Sequence, residues 1–110
     1  MPNTFDVDAL IEELELDQED IVELLADFKD FIEETLPQLV SAVQEQNITE
    51  SRSLSHSIKG SAGNLRINKV YETAKKMQDA ADAKDGETLN TLLPEIQTNV
   101  KDFLDELATL

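Results

Sequence analysis

The sequence predicts an all-α protein, an antiparallel up-down-up-down four-helix bundle with a short extra N-terminal helix, and three observations carry that prediction. Apolar residues recur at spacings of three and four along most of the chain, the spacing that lines one face of a 3.6-residue helix. They nowhere alternate with period two, and β-branched residues do not gather in runs, so no strands are expected. The connections between periodic stretches are only a few residues long, which obliges successive helices to run antiparallel if their apolar stripes are to meet. With 110 residues, the chain is sized for one domain, 1–110, burying roughly two-thirds of its unfolded surface.

A short helix is expected around residues 6–15, with Val7, Leu10, Ile11 and Leu14 covering one end of the bundle. From Asp17 the series Ile21, Leu24, Leu25, Phe28, Ile32, Leu36, Leu39, Val40, Val43 describes one long amphipathic helix. Asp17 is its expected N-cap, and Glu19 and Asp20 sit in the first turn, where the helix dipole favours acids. Pro37 should bend this helix rather than end it, because the stripe continues past it. Asn47 is expected to stop it. A second helix from near Thr49 carries Leu54, Ile58, Ala62 and Leu65, and a third runs from an Asn68 cap through Val70, Ala74, Met77 and Ala81. The last follows an Asp85-Gly86 break with Leu89, Leu92, Leu93, Ile96, Val100, Phe103 and Leu107, tolerating Pro94.

Composition removes several functions. The absence of cysteine excludes disulfides, thiolate nucleophiles and cysteine-bound metal centres. No apolar run approaches 18 residues, and the polar, acidic start MPNTFDVD is unlike a signal peptide. A soluble, cytoplasmic protein is expected. The net charge of −15 repels phosphodiester backbones and anionic headgroups, so neither nucleic acid nor membrane is an expected partner. That charge is unevenly spread. Residues 1–50 hold 15 acids and only Lys29, and residues 77–110 hold 8 acids with Lys84 and Lys101. Residues 51–76 instead carry Arg52, Lys59, Arg66, Lys69, Lys75 and Lys76 against Glu72 alone. The chain's one histidine, His56, lies inside this basic stretch. A solvated helix face is its ordinary meaning; a site for an anion or an acidic partner is the sharper one.

The wheel of the second helix favours the sharper reading. With Leu54 at 0° and ~100° per residue, the apolar stripe centres near ~35° and His56 falls near ~200°, pointing away from the core. Gly63 (~180°) and Gly60 (~240°) flank it on the same face. Each glycine inside a helix costs about 0.8–1 kcal/mol relative to alanine, so two beside one exposed imidazole suggest a clearing. A frayed helix end with Gly63 or Asn64 as a left-handed cap is the competing account. Lys59 (~140°) and Arg52 (~160°) stand within a turn of the histidine and supply positive charge where a phosphoryl group would need it.

The run His56-Ser57-Ile58-Lys59-Gly60-Ser61-Ala62-Gly63, in an acidic four-helix chain of this length, resembles the histidine-containing phosphotransfer (HPt) domains of bacterial-type phosphorelays. The long helix before it, the Ile67 to Met77 pattern after it and the Lys84-Asp85-Gly86 break are similar too, so the resemblance covers nearly the whole chain. It implies a phosphorelay intermediate, in which His56 accepts a phosphoryl group from a receiver-domain aspartate or a histidine kinase and passes it to another receiver aspartate. By the same resemblance Lys59 is the cation favouring the phosphorylated state, and Gln78 orients the histidine or its phosphate. Gly60 and Gly63 match the small residues that admit the partner, and Arg52 and Arg66 join the docking face. Many members carry a glycine ten residues after the histidine; here that position is Arg66. The implied partners are receiver domains and a hybrid sensor histidine kinase. The protein is expected to be a monomer without cofactor or metal of its own, with Mg2+ on the receiver.

A neutral imidazole has a ring lone pair free to attack phosphorus, and the phosphoramidate formed has a high transfer potential suited to handing the group to a carboxylate. In-line transfer uses a divalent ion and charge neutralisation, and no carboxylate cage is evident here, so the partner completes the chemistry and the chain is a phosphocarrier, not an enzyme. The alternative is a helical protein-protein interaction domain with no phosphotransfer, which has no need of glycines on an exposed face. Ser53, Ser55 and Ser57 lie near His56 in sequence, but no acid nearby is placed to orient a triad. KGSAGN lacks the G-K-[ST] order and preceding strand of a nucleotide loop.

Overall fold

Five helices form in the order α1 (Val7–Leu14), α2 (Gln18–Gln44), α3 (Ile48–Asn64), α4 (Asn68–Asp82) and α5 (Gly86–Leu107) in the computed structural model, which describes residues 4–110. The first three residues of the acidic start lie outside the described residues. α2 packs on α3 and α5, α4 packs on the same two helices, and α1 lies against α2. Four helices thus close around one core, with α1 as an outlying fifth. α2 has 27 residues, about 40 Å at 1.5 Å per residue, and so sets the 42 Å long axis of the molecule. It runs on past Pro37, as α5 does past Pro94.

The expected stripes are the core. Ile21, Leu25, Ile32 and Leu39 of α2 meet Ile58 of α3, Met77 of α4, and Leu89, Ile96 and Phe103 of α5, all fully buried. At the N-terminal end Phe103 packs edge-to-face with Phe5 and with Phe28, ring centroids 5.7 and 5.2 Å apart, the arrangement that aromatic quadrupoles prefer. Asp6, Asp17 and Asp85 cap α1, α2 and α5 by accepting the backbone N–H three residues on. Hydrogen bonds from Thr88, side chain first and backbone second, hold the Asp85 carboxyl below its usual 3.8.

The three turns of the bundle share one construction. Gln46, Arg66 and Lys84 each take a left-handed conformation, with φ of 58°, 55° and 57°. The next residue returns its N–H to a carbonyl five positions back: Asn47 to Ala42, Ile67 to Ala62, Asp85 to Ala80. This is the Schellman closure of a helix, and in each turn that returning residue is also the N-cap of the following helix. Side chains in the left-handed region cost roughly 1–2 kcal/mol, partly offset because glycine frees the unfolded chain by about 0.4–1 kcal/mol. Gln46→Gly and Lys84→Gly are therefore each expected to stabilise the fold by about 0.5–1 kcal/mol, read as a raised urea midpoint with unchanged slope.

These turns correct several expectations. Asn47 does more than stop α2: it caps α3 by accepting the Glu50 N–H at 3.0 Å. The cap of α4 is Ile67, which makes no side-chain cap bond, and Asn68 is the first helical residue; burial of Ile67 in the core decides where α4 begins. The left-handed residue closing α3 is Arg66, neither Gly63 nor Asn64, and the break before α5 is made by Lys84 while Gly86 opens the helix. On α3 the buried face is Ser51, Ser55, Ile58 and Ala62, with Leu54 only half-buried. The stripe is thus turned by about 35° from its expected centre. Small residues lie inside because α3 packs closely on α4; Ser55 satisfies its hydroxyl by donating to the Ser51 carbonyl at 2.6 Å.

Candidate functional site

His56 stands in mid-α3 with its ring exposed. Even after the turn of the stripe it lies about 130° from the buried centre, so the outward placement read from the wheel holds. What the wheel does not contain is the neighbour across the seam. Nδ1 of His56 lies 3.3 Å from Oε1 of Gln78 on α4, and Gln78 is 9% exposed. A carboxamide oxygen only accepts, so the contact requires the ring proton on Nδ1. Nε2, at the other end of the ring, then carries the free lone pair.

The other expected site residues divide. Gly60 is exposed, and a Cβ built on it would meet nothing within 4 Å. Gly63 is half-buried, and its Cβ would lie 3.2 Å from the ring of Tyr71 on α4. Only Gly60 is therefore an opening; the space above Gly63 is filled by Tyr71. Lys59 is half-buried on the side of α3 that turns toward α4. Arg52 forms an ion pair with Asp82 of α4. Arg66 pairs with Glu13 of α1 at 3.1 Å and donates from Nη1 to the carbonyls of Gly63 and Asn64, each at 3.0 Å. It thus closes the end of α3 while keeping half its side chain exposed.

The basic stretch is not one patch. Lys69 and Lys76 line a groove with Glu72, Thr73, Glu95 and Asn99 between α4 and α5, on the far side of α4 from His56. Among the described residues, ion pairs engage both arginines of the stretch and none of its lysines.

Sequence reasoning missed Tyr71 and Asp82, whose signal was present in their spacing. Tyr71, Lys75, Gln78 and Asp82 follow i, i+4, i+7, i+11, a single stripe on α4. It also missed a groove of about 610 Å³ on the α2 side of α3, lined by Leu14, Leu24, Phe31, Leu65 and the polar Ser61 and Asn64 among others. Residues Ser61 and Asn64 flank Gly60 on the helix surface, so the groove continues the face on which His56 stands. Among the described residues no group of three histidine or carboxylate side chains converges on a metal position, and no helix is long and apolar enough to cross a membrane.

Fold and site together define an antiparallel helical bundle that holds one imidazole, with Nδ1 against Gln78, on an open helix face. The family model described as Hpt domain matches residues 23–109, and the chain belongs to that family, whose members are phosphocarriers in histidine phosphotransfer. No curated protein and no solved structure matches the chain.

Proposed function

We propose that His56 is the phosphoacceptor of this phosphorelay module and that the whole chain, 1–110, acts as a cytoplasmic, monomeric carrier between receiver domains. The observation that carries the reading is the Gln78 contact: with the ring proton on Nδ1 toward Oε1, the lone pair is on Nε2, and one turn further along α3 the surface is open at Gly60. Nε2 attacks the phosphorus of a receiver's aspartyl phosphate. The N–P bond forms as the P–O bond to the aspartate breaks, and the carboxylate departs with its electron pair. The ring, now phosphorylated on Nε2 and still protonated on Nδ1, is cationic, and its N–H to Gln78 becomes a charge-assisted bond. The reverse sequence delivers the group to a second receiver aspartate. The divalent ion used in such transfer belongs to the receiver, and the initial donor is a hybrid sensor histidine kinase. Lys59 favours the phosphorylated state from the same face. Gly60 admits the receiver, with Gly63 leaving room for the ring of Tyr71 beside it. Arg52 and Arg66, each half-exposed within its ion pair, border the docking face and meet the receiver's carboxylates.

Incubation with a phosphorylated receiver should label the protein with acid-labile, alkali-stable phosphate. Absence of such label would overturn the reading. Gln78→Ala removes the tautomer partner and the bond to the cationic ring. Since one hydrogen bond nets about 0.5–1.5 kcal/mol, transfer should slow by roughly two- to twelvefold, and 15N shifts of the imidazole should show loss of the single Nδ1–H tautomer. An unchanged rate with unchanged ring shifts would show that Gln78 has no orienting role.

A further inference from the structure

Arg52, His56, Lys59 and Gly63 repeat on α3 at i, i+4, i+7, i+11, and α4 carries the same spacing in Tyr71, Lys75, Gln78 and Asp82. The two stripes meet antiparallel. Arg52 pairs with Asp82, His56 with Gln78, and Gly63 lies under Tyr71. In each of these pairs the residue numbers add to 134. The remaining members, Lys59 and Lys75, satisfy the same sum and stand at one level of the seam, on the Gly60 side of His56. Packed helix axes lie about 8–10 Å apart, within the span of two lysine stems.

This level is the uncompensated one. The level on the other side of His56 is the closed Arg52–Asp82 pair. Neither Lys59 nor Lys75 reaches a carboxylate within 4 Å, although Glu72 and Asp79 stand at i−3 and i+4 from Lys75 on its own helix. Two ammonium groups thus face one seam in a chain with 24 acids and a net charge of −15, an arrangement that is unfavourable until an anion comes between them.

We propose that Lys75 is a positioning residue for the phosphorylated state, acting with Lys59 as a two-armed ammonium clamp on a phosphoryl group carried by Nε2 of His56. The inference rests on His56 being the phosphoacceptor. Neither lysine makes or breaks a covalent bond; together they neutralise the phosphoryl dianion on the side from which the receiver approaches, while the Arg52–Asp82 pair keeps the opposite side electrically closed.

The test uses the full chain phosphorylated with phosphoramidate, a small donor that needs no receiver. The second ionisation of the phosphoryl group is followed by 31P NMR against pH. A neighbouring cation favours the dianion and lowers that midpoint, so Lys75→Gln should raise it by about 0.2–0.7 pH unit, the range that a solvent-exposed charge pair supplies. Lys59→Gln should act in the same direction, Lys75→Arg should keep the wild-type midpoint, and Lys76→Gln, on the α5 side of α4, should not move it. Lys75 is exposed, so its replacement leaves the core intact. A Lys75→Gln midpoint equal to wild type overturns the clamp and leaves His56 as acceptor. Failure of the wild type to take phosphate on His56 overturns the functional reading itself, and the clamp with it.

Discussion

His56→Gln is expected to abolish phosphoryl acceptance while leaving the fold as stable as wild type. The chain has no other histidine, so no second imidazole can take over. The ring is exposed and lies outside the core, and a glutamine amide can still donate to Oε1 of Gln78. The change in stability should therefore stay within about 0.5 kcal/mol, the usual range for surface substitutions. Phosphate transfer from a labelled receiver should fall to background. The measurement is a paired one, denaturant unfolding alongside quantitation of acid-labile phosphate. Incorporation at the wild-type level in the variant would remove His56 from the reaction. Loss of incorporation accompanied by unfolding would show instead that the imidazole supports the fold.

The second large effect separates the two glycines of α3, which look equivalent in sequence. Gly60→Gln places its side chain into open space, since nothing lies within 4 Å of the added Cβ. The fold should gain up to about 0.8–1 kcal/mol from improved helix propensity. Transfer should nonetheless slow, on the order of 10²-fold, because a displacement of about 1 Å between reacting partners costs that much, and a glutamine beside Nε2 holds the receiver off by more. A more stable protein that transfers more slowly is an unusual combination, and no general loss of structure produces it. Gly63→Ala is expected to behave differently. Its Cβ would press on Tyr71 at 3.2 Å, so the ring must shift and the propensity gain is offset. An unchanged rate in Gly60→Gln, with the stability gain present, would assign that glycine a purpose other than admitting a partner.

The basic stretch shows how far charge counting reaches. Summed along the chain, residues 51–76 read as one positive patch. In the fold, Arg52 and Arg66 are already matched by Asp82 and Glu13, Lys69 and Lys76 face the α4–α5 groove, and at the His56 seam Lys59 and Lys75 are the basic residues outside any ion pair among the described residues. Neutralising Arg66 would thus weaken the α1 contact and the end of α3 as well as any docking. Lysines at the seam offer the cleaner probe of site electrostatics.

Local chemistry decided what was legible from the sequence alone. The apolar spacing of three and four specified the helices to within a residue or two. Asp17 announced its cap because a cap bond spans only three residues. The wheel placed His56 outside because its orientation depends on its own helix. The tertiary structure decided the rest. Whether Gly63 is open depends on Tyr71, whether Arg52 is free depends on Asp82, and which ring nitrogen of His56 meets a polar partner depends on Gln78, each on another helix. Both stripes of the seam are visible in the sequence, but their alignment is set by the turn at 65–67, where Arg66 takes the left-handed conformation and Ile67 is drawn into the core. A 3.6-residue period states which face a side chain occupies. It carries no information on how far one helix slides along its neighbour, and that displacement, fixed by packing around Ile67, determines which residues meet His56.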